Sequence, residues 1–212
     1  MLCIFFFITG GFHLFYAYSE AYGGDTGLYR TAITNKNNYF RWIEYSITST
    51  LMLYVIALIS GVKDTNVYIM LITNNVAMIY MGQLIETSVQ DQQNPYLWII
   101  PMIISWGLLL SEWVVIVRDF QMRIKQVSDF INSRNSVSSN TNRIPDWISY
   151  TVYILAFFFI CFGFISLAGC LFYKDQYDSV EYAYIIASFV AKATLASFVA
   201  YGTGQRQQAG AR

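Results

Sequence analysis

The fold is decided by residues 180–201, which read VEYAYIIASFVAKATLASFVAY. The stretch is apolar apart from Glu181 at its edge and Lys192 near its middle. A helix needs about 20 such residues to cross about 30 Å of hydrocarbon, so this stretch is long enough to span a membrane. A lysine at the centre of such a helix costs about 3 kcal/mol on insertion scales. We therefore expect Lys192 to have a partner or a covalent bond that compensates for its charge.

The composition of the whole chain also indicates a membrane protein. Of its 212 residues, 56% are hydrophobic and only 12% are charged, whereas about 25% are charged in a typical soluble domain. The formal net charge is zero, which excludes a basic surface for nucleic acid. The three cysteines lie inside apolar runs, and their spacing matches neither a disulfide framework nor a metal site. We expect a multi-pass protein whose main surroundings are lipid.

Six apolar segments have about the length of a membrane-spanning helix. Because backbone groups in lipid must be satisfied internally, we predict that all six are helices of a single bundle over residues 1–212. Between the fourth and fifth lies a polar loop, 119–146, although the apolar spacing within 120–131 also fits a helical extension along the interface. The six segments are 1–18, 35–62, 67–85, 96–118, 147–173 and 180–203. The first segment is already apolar at Met1. We therefore expect that a helix preceding this segment is missing from the sequence.

Four ionisable residues fall inside these segments: His13, Glu44, Glu112 and Lys192. Such residues are functional candidates by default. Glu112 lies six residues before Arg118, close enough to the interface to be interpreted as structural. Glu44 is the nearest anionic partner for Lys192. On residues alone, a purely structural ion pair between two helices is as good an interpretation as a functional one.

The proposed pair makes a prediction about where the helix of Glu44 begins. Helices two and six cross in the same direction, so depths along them can be compared at 1.5 Å per residue. If both helices start at the same depth, Glu44 meets Lys192 only when its helix begins within residues 35–38, with Thr34 as the N-cap.

Four stretches resemble one family of retinal proteins. The segment RWIEYS, residues 41–46, followed by ITSTLML, resembles the third helix of the heliorhodopsins, and SFVAKATLASFVAYGT, residues 188–203, resembles their seventh. ITGGFHLFYA, residues 8–17, and NNVAMIYMGQLIE, residues 74–86, resemble their second and fourth helices. The resemblance implies an all-α, rhodopsin-like transmembrane bundle of seven helices, of which the first is missing and six are visible.

The resemblance also assigns roles to individual residues. It implies that Lys192 carries all-trans retinal as a Schiff base and that Glu44 is its counterion. Ser188 and Thr48 lie one turn from Lys192 and Glu44 on the same helix faces, and both can form hydrogen bonds near the Schiff base. The remaining family positions are Asn75 and Met78 beside the chromophore and His13 in a polar cluster near the Schiff base. Without the resemblance, His13 is better interpreted as a satisfied core histidine.

The photochemistry expected from these residues is that of a sensor. Pumping relatives carry a second carboxylate one turn before the lysine, where this chain has Ser188, and a proton donor three turns after the counterion, where it has Val55. A pump needs such a relay of proton-carrying groups. We expect a slow light sensor acting on an unknown signalling partner, neither a pump nor an enzyme, and a homodimer as is usual in the family. The alternatives are a light-gated proton conductance, or a small transporter or channel that uses the Glu44–Lys192 pair.

Membrane orientation is predicted differently by charge and by family. The side that carries the C-terminus has eight basic residues and the other side has four; by the positive-inside rule the C-terminus is cytoplasmic. The family places it outside, and we follow the family. The eight are Lys63, Arg118, Arg123, Lys125, Arg134, Arg143, Arg206 and Arg212, and the four are Arg30, Lys36, Arg41 and Lys174.

Overall fold

The computed structural model describes residues 2–89, 94, 96–133, 146–172 and 176–210. Within these ranges the chain forms seven α-helices and a short 3-10 turn at Gly24–Thr26, and contains no strand. Residues 134–145 of the predicted loop, with Arg134 and Arg143, lie outside the described ranges, as do Tyr173 and Lys174. The helices are α1 (Leu2–Gly23), α2 (Leu28–Thr34), α3 (Tyr39–Ser60), α4 (Thr65–Val89), α5 (Ile99–Ser133), α6 (Asp146–Leu171) and α7 (Tyr177–Gly210).

Five of the helices, α3 to α7, contain spans that are long and apolar enough to cross a membrane. Helix α1 has 22 residues but does not belong to that set of five, and α2, with seven residues, is far shorter than the roughly 20 that a crossing needs. These findings confirm the predicted all-α membrane bundle.

Helix α3 begins later than the sequence predicts. It starts at Tyr39 with Asn38 as its N-cap, whose side-chain oxygen accepts from the Arg41 N–H at 3.2 Å. Thr34 is the last residue of α2, so the predicted N-cap at Thr34 and the predicted start within 35–38 are wrong. The asparagine cap satisfies a backbone donor that would otherwise be unpaired. At its other end α3 stops at Gly61, whose φ of 91° is a left-handed conformation that glycine adopts without strain.

Helix α5 continues well beyond its apolar segment. It runs to Ser133, so the predicted loop at 119–146 is wrong over 119–133, where the alternative of a helical extension applies. Phe120 is fully buried, and Arg123 packs closely over Gly61 at the end of α3. A cation at this position lies beside the carbonyl end of α3, where the helix dipole favours it. Residues 119–133 are largely polar, but the apolar residues among them recur at helical spacing, which explains why the segment is a helix.

The directions of the helices follow from contacts at their ends. The Asn38 N–H at the start of α3 donates to Glu86 near the end of α4 at 3.2 Å, and its amide donates to Glu181 near the start of α7 at 2.6 Å. Arg123, far along α5, reaches the end of α3 at Gly61. Helices α3, α5 and α7 therefore run in the same direction. We call the two ends of the bundle the Asn38 side and the Gly61 side.

Candidate functional site

Lys192 forms a buried triad with Glu44 and Thr9. Its Nζ donates to Glu44 Oε1 at 3.0 Å and to Thr9 Oγ1 at 2.6 Å, and the Thr9 hydroxyl donates to the same Glu44 oxygen at 2.8 Å. The side chains of Lys192 and Glu44 are each only 4% exposed. An isolated charge at this depth is costly, whereas a paired and hydrogen-bonded one is tolerated. The charge that made Lys192 conspicuous in the sequence is thus compensated by Glu44.

The pair forms even though α3 starts at Tyr39, because the two helices do not begin at the same depth. Asn38 is hydrogen-bonded to Glu181, one turn past the start of α7 at Tyr177. From that shared level, Lys192 is about 16 Å along α7 and Glu44 about 9 Å along α3, at 1.5 Å per residue. The difference, about 7 Å, is close to the length of a lysine side chain that leans back toward its helix N-terminus.

An apolar cavity lies against Lys192 in the middle of the bundle. Its walls come from α3, α4, α5, α6 and α7, and they consist mostly of aromatic and aliphatic side chains, with Lys192 and Ser188 contributed by α7. Such a cavity with a few polar groups is the usual form of a site for a small apolar ligand. The larger side chains of its walls are Trp42, Tyr45, Met52, Met78, Ile79, Met102, Trp106, Leu109, Phe159, Phe162 and Tyr184.

Two glycines let indole rings form the walls of this cavity. A Cβ at Gly82 of α4 would overlap the ring of Trp42, and a Cβ at Gly163 of α6 would lie 2.9 Å from Trp106 Cζ2. Both contacts are closer than ordinary van der Waals distance, so only glycine fits without displacing the ring. Trp42 is also held by a hydrogen bond from its indole N–H to Glu86. The width of the cavity is therefore set by the close packing of two indole rings against the backbone of two glycines.

Three of the other residues predicted from the family line the apolar cavity, and a fourth, Asn75, does not. Ser188, Thr48 and Met78 line the apolar cavity together with Lys192. Asn75 is fully buried but is not among the lining residues. Its amide donates to Ser49 Oγ, a residue that does line the cavity, and to Thr50 Oγ1, both at 2.8 Å.

His13 belongs to a second, more polar cavity on the other face of the Lys192–Glu44 pair. This cavity lies between α1, α3 and α7 and includes Thr9, Arg41 and Glu181 in its walls. The His13 side chain is largely exposed, and its ring meets Tyr16 edge-on with centroids 5.7 Å apart. The interpretation of His13 as a buried core histidine is therefore wrong.

A buried cluster around Arg41 was missed by sequence reasoning, which counted Arg41 among the charges outside the helices. Arg41 is only 3% exposed. Its Nη2 lies 2.8 Å from Glu86 Oε2, and it also forms an ion pair with Glu181. Its guanidinium lies over the ring of Tyr184, 4.4 Å from the centroid. The available signal was spacing, since Arg41 precedes Glu44 by three residues and so shares its helix face.

Thr9 was also missed. It lies four residues before His13 on α1, and residues at that spacing share one face of a helix. A threonine within the quoted stretch ITGGFHLFYA is inconspicuous, because a hydroxyl in an apolar helix usually bonds its own backbone. Here it instead bridges Lys192 and Glu44.

Comparison with known proteins agrees with this geometry. The model of one family, described as Heliorhodopsin, matches residues 1–203 and so contains every residue of the triad and of both cavities. A search of curated proteins finds no match. The predicted family resemblance is confirmed over nearly the whole chain. The chain therefore belongs to the heliorhodopsin family, whose members are retinal-binding, light-sensing, multi-pass membrane proteins.

Proposed function

We propose that the protein is a slow light sensor that binds all-trans retinal through Lys192 Nζ, with Glu44 as the counterion. The observation that carries this proposal is the buried Lys192–Glu44 pair, 3.0 Å apart, whose lysine lies on the wall of an apolar cavity. A structural ion pair would be satisfied by tight packing around both charges. The cavity beside this lysine instead supplies room for an apolar ligand joined to its nitrogen.

The lining of the cavity suits retinal in chemistry as well as in position. Its surface is largely aromatic and aliphatic, as a polyene requires. The Thr48 hydroxyl is buried on this wall and has no hydrogen-bond partner among the described residues. Such an orphaned group is expected where a ligand or ordered water completes the site. Bound retinal would supply the conjugated chain that absorbs visible light and isomerises.

The residues around Lys192 Nζ hold its proton in the dark. The Glu44 carboxylate neutralises the cation and favours its charged form. Thr9 fixes the carboxylate by donating to Glu44 Oε1 while it accepts from Lys192. The Tyr45 ring lies 5.6 Å from the lysine nitrogen and adds a weaker attraction for a cation.

A sensor is favoured over a pump by the groups that face the lysine. Among the described residues, Glu44 is the carboxylate that contacts Lys192, and Ser188 stands one turn before it. Val55, three turns after Glu44, is a buried apolar residue. A proton displaced from Nζ thus enters the polar cavity with Glu44, Thr9 and His13 in its walls. We propose that this local charge movement biases the packing of α1, α3 and α7, which a signalling partner reads.

Orientation and assembly are proposed on family membership alone. We propose a homodimer whose C-terminus faces outward, against the charge count. Because Arg41 is buried inside the bundle, the charge count becomes eight to three and disagrees further with the family orientation. Labelling of a cysteine introduced at Gln208 in intact cells tests the orientation: reaction with an impermeant reagent supports an external C-terminus, and reaction only after lysis contradicts it.

The role of Glu44 is tested by Glu44→Gln in the protein reconstituted with all-trans retinal. Without the carboxylate, the pH at which half of the visible absorbance is lost should fall by about 1–3 units, the size of effect that a neighbouring opposite charge produces. The band should also shift, because the charge beside the chromophore has gone. Glu20→Gln is the control, since Glu20 is exposed and paired with Arg30. An unchanged titration of Glu44→Gln would remove Glu44 as the counterion.

A further inference from the structure

A second carboxyl group, that of Glu112, is buried in the bundle and is not used by the site described above. Glu112 of α5 has zero exposure, and neither of its carboxyl oxygens has a hydrogen-bond partner among the described residues. The sequence placed it close enough to the interface to be interpreted as structural. Its complete burial shows that it does not reach the interface.

Glu112 lies one helical turn beyond a residue that lines the apolar cavity. The face of α5 that points into the bundle carries Met102, Leu109, Glu112, Ile116 and Phe120, at spacings of three and four residues or their sums. Met102 and Leu109 line the cavity. Glu112 is the next residue along this face, one turn nearer the Gly61 side. It is not itself a lining residue, so its carboxyl group lies just beyond the cavity wall formed by Leu109, with Ile116 as the next residue along the same face.

The surroundings of Glu112 fix its charge state. A carboxylate in an apolar interior is tolerated only with a cation or several donors. The described residues give Glu112 neither, so its carboxyl group is neutral and carries a proton. An aliphatic side chain would fill the same space without leaving hydrogen bonds unmade, so packing alone gives no reason for a carboxyl group here.

We propose, on the basis of the retinal-binding function above, that Glu112 is a proton reservoir for Lys192 Nζ on the Gly61 side of the cavity. In the dark it holds a proton. After light has moved the proton of Nζ toward Glu44 and the polar cavity, the O–H bond of Glu112 breaks and an N–H bond forms at Nζ. This leaves a Glu112 carboxylate and a protonated Glu44. In the return step the Nζ proton passes back to Glu112 while Glu44 gives its proton to Nζ, so both carboxyl groups regain their dark states and no proton crosses the bundle.

Hydroxyl groups on the cavity wall offer a route for this proton. Ser105 precedes Glu112 by two turns on the same face of α5, and Ser49 and Thr48 lie on the facing wall of α3. The Thr48 hydroxyl has no hydrogen-bond partner among the described residues and is free to accept and donate. Sensors lacking any such reservoir would recover their proton only from the polar cavity, so Glu112 would set the rate of recovery.

The first test requires no chromophore. Infrared spectra of the retinal-free protein should show the carbonyl stretch of a protonated, non-hydrogen-bonded carboxylic acid. That band should disappear in Glu112→Gln and remain in Glu20→Gln, the exposed control. A band that persists in Glu112→Gln, or that is missing from the parent, would show that Glu112 is not protonated and would overturn the proposal.

The second test follows the return of the proton after a flash in the retinal-loaded protein. Recovery of the protonated chromophore should be about 100-fold slower in Glu112→Gln, the lower end of the range attributed to a positioned proton donor. Glu112→Asp, which keeps the acid, should recover faster than Glu112→Gln. Equal recovery rates in the parent and Glu112→Gln would overturn the reservoir role.

The two proposals fail in different ways. A parent protein without a visible band overturns the retinal-binding function and the transfer step with it, while the infrared test still decides whether Glu112 holds a proton. A parent with a normal band whose recovery is unaffected by Glu112→Gln leaves the retinal-binding function standing and overturns the reservoir.

Discussion

Glu44 and Glu112 are two carboxyl groups at similar burial with opposite surroundings. Glu44 is 3% exposed and is bound by a lysine and a threonine, whereas Glu112 is 0% exposed and its oxygens have no partner among the described residues. Burial alone therefore does not decide the charge of an acid in a membrane bundle. The partners differ instead: Lys192 and Thr9 bind Glu44, whereas no described residue binds the carboxyl group of Glu112.

The same contrast separates the two ends of the bundle. On the Asn38 side, buried polar groups form a network around Arg41 and Glu181. On the Gly61 side the buried residues are mostly aliphatic and aromatic. The apolar cavity lies where the two ends meet, and Lys192 on its wall is paired with Glu44. The buried apolar residues of the Gly61 side include Leu53, Ile56, Ile116, Phe120, Val152, Leu155 and Leu195.

The largest effect on stability is expected from Arg41→Ala. Its removal takes away the cation that Glu86 and Glu181 share inside the bundle. Breaking a buried ion pair by deleting one partner typically costs about 3–5 kcal/mol. The free energy of unfolding, measured by detergent denaturation followed by circular dichroism, should fall by that amount.

The corresponding variant on the Gly61 side is Glu112→Leu, and its free energy of unfolding is measured in the same way as that of Arg41→Ala. Because no ion pair is broken there, this variant should be neutral or more stable, within about 1 kcal/mol of the parent. Arg41→Lys should lie between the two, since lysine keeps the charge but loses the planar, bidentate fork. A cost for Glu112→Leu as large as that for Arg41→Ala would erase the distinction between the two ends.

A smaller loss of stability is expected from Gly82→Ala, at the wall between the polar network and the cavity. The added methyl would overlap Trp42, so the indole must move. Overpacking of this kind costs about 1–3 kcal/mol, and the displaced ring should shift the visible band of the retinal-loaded protein.

The matched control is Gly107→Ala on α5, because a Cβ at Gly107 meets nothing within 4 Å. That variant should lose no stability and gain up to about 1 kcal/mol from helix propensity. If the two variants behaved alike, the contact between Trp42 and Gly82 would not define the cavity wall.

The smallest effect is expected from Thr9→Val. Valine keeps the shape of threonine but removes the hydroxyl that bridges Lys192 and Glu44. A hydrogen bond to a charged group contributes about 1.5–3 kcal/mol, only part of which distinguishes the protonated from the neutral nitrogen. The pH at which visible absorbance is half lost should therefore move less than in Glu44→Gln. Thr9→Ser, which keeps the hydroxyl, should titrate like the parent, and a valine variant that also did so would exclude Thr9 from the site.

The parts of the site that the sequence predicts are those carried by unusual residues. A lysine and a glutamate in apolar helices are expensive, so their pairing follows from their cost. The five spanning helices α3 to α7 follow from segment lengths, whereas the short helix α2 carries no such signal. The start of α3 was predicted wrongly because it depended on the relative depth of two helices, which is fixed by the Asn38–Glu181 contact and not by any local signal.

The parts that the sequence does not predict depend on how helices are placed against one another. Arg41 and Glu181 each lie near the end of an apolar run, where charges usually meet water. Only packing shows that they meet each other. The burial of Glu112 was missed for the same reason, since its distance from Arg118 along the helix does not reveal which neighbours cover it.

The central claim is that Lys192 anchors retinal within the apolar cavity, and a visible spectrum tests it most directly. The protein expressed with all-trans retinal should show an absorption band in the visible range, and Lys192→Ala should show none. Circular dichroism should confirm that the variant is still folded. The absence of a band from the parent, or a band that survives in Lys192→Ala, would contradict the account.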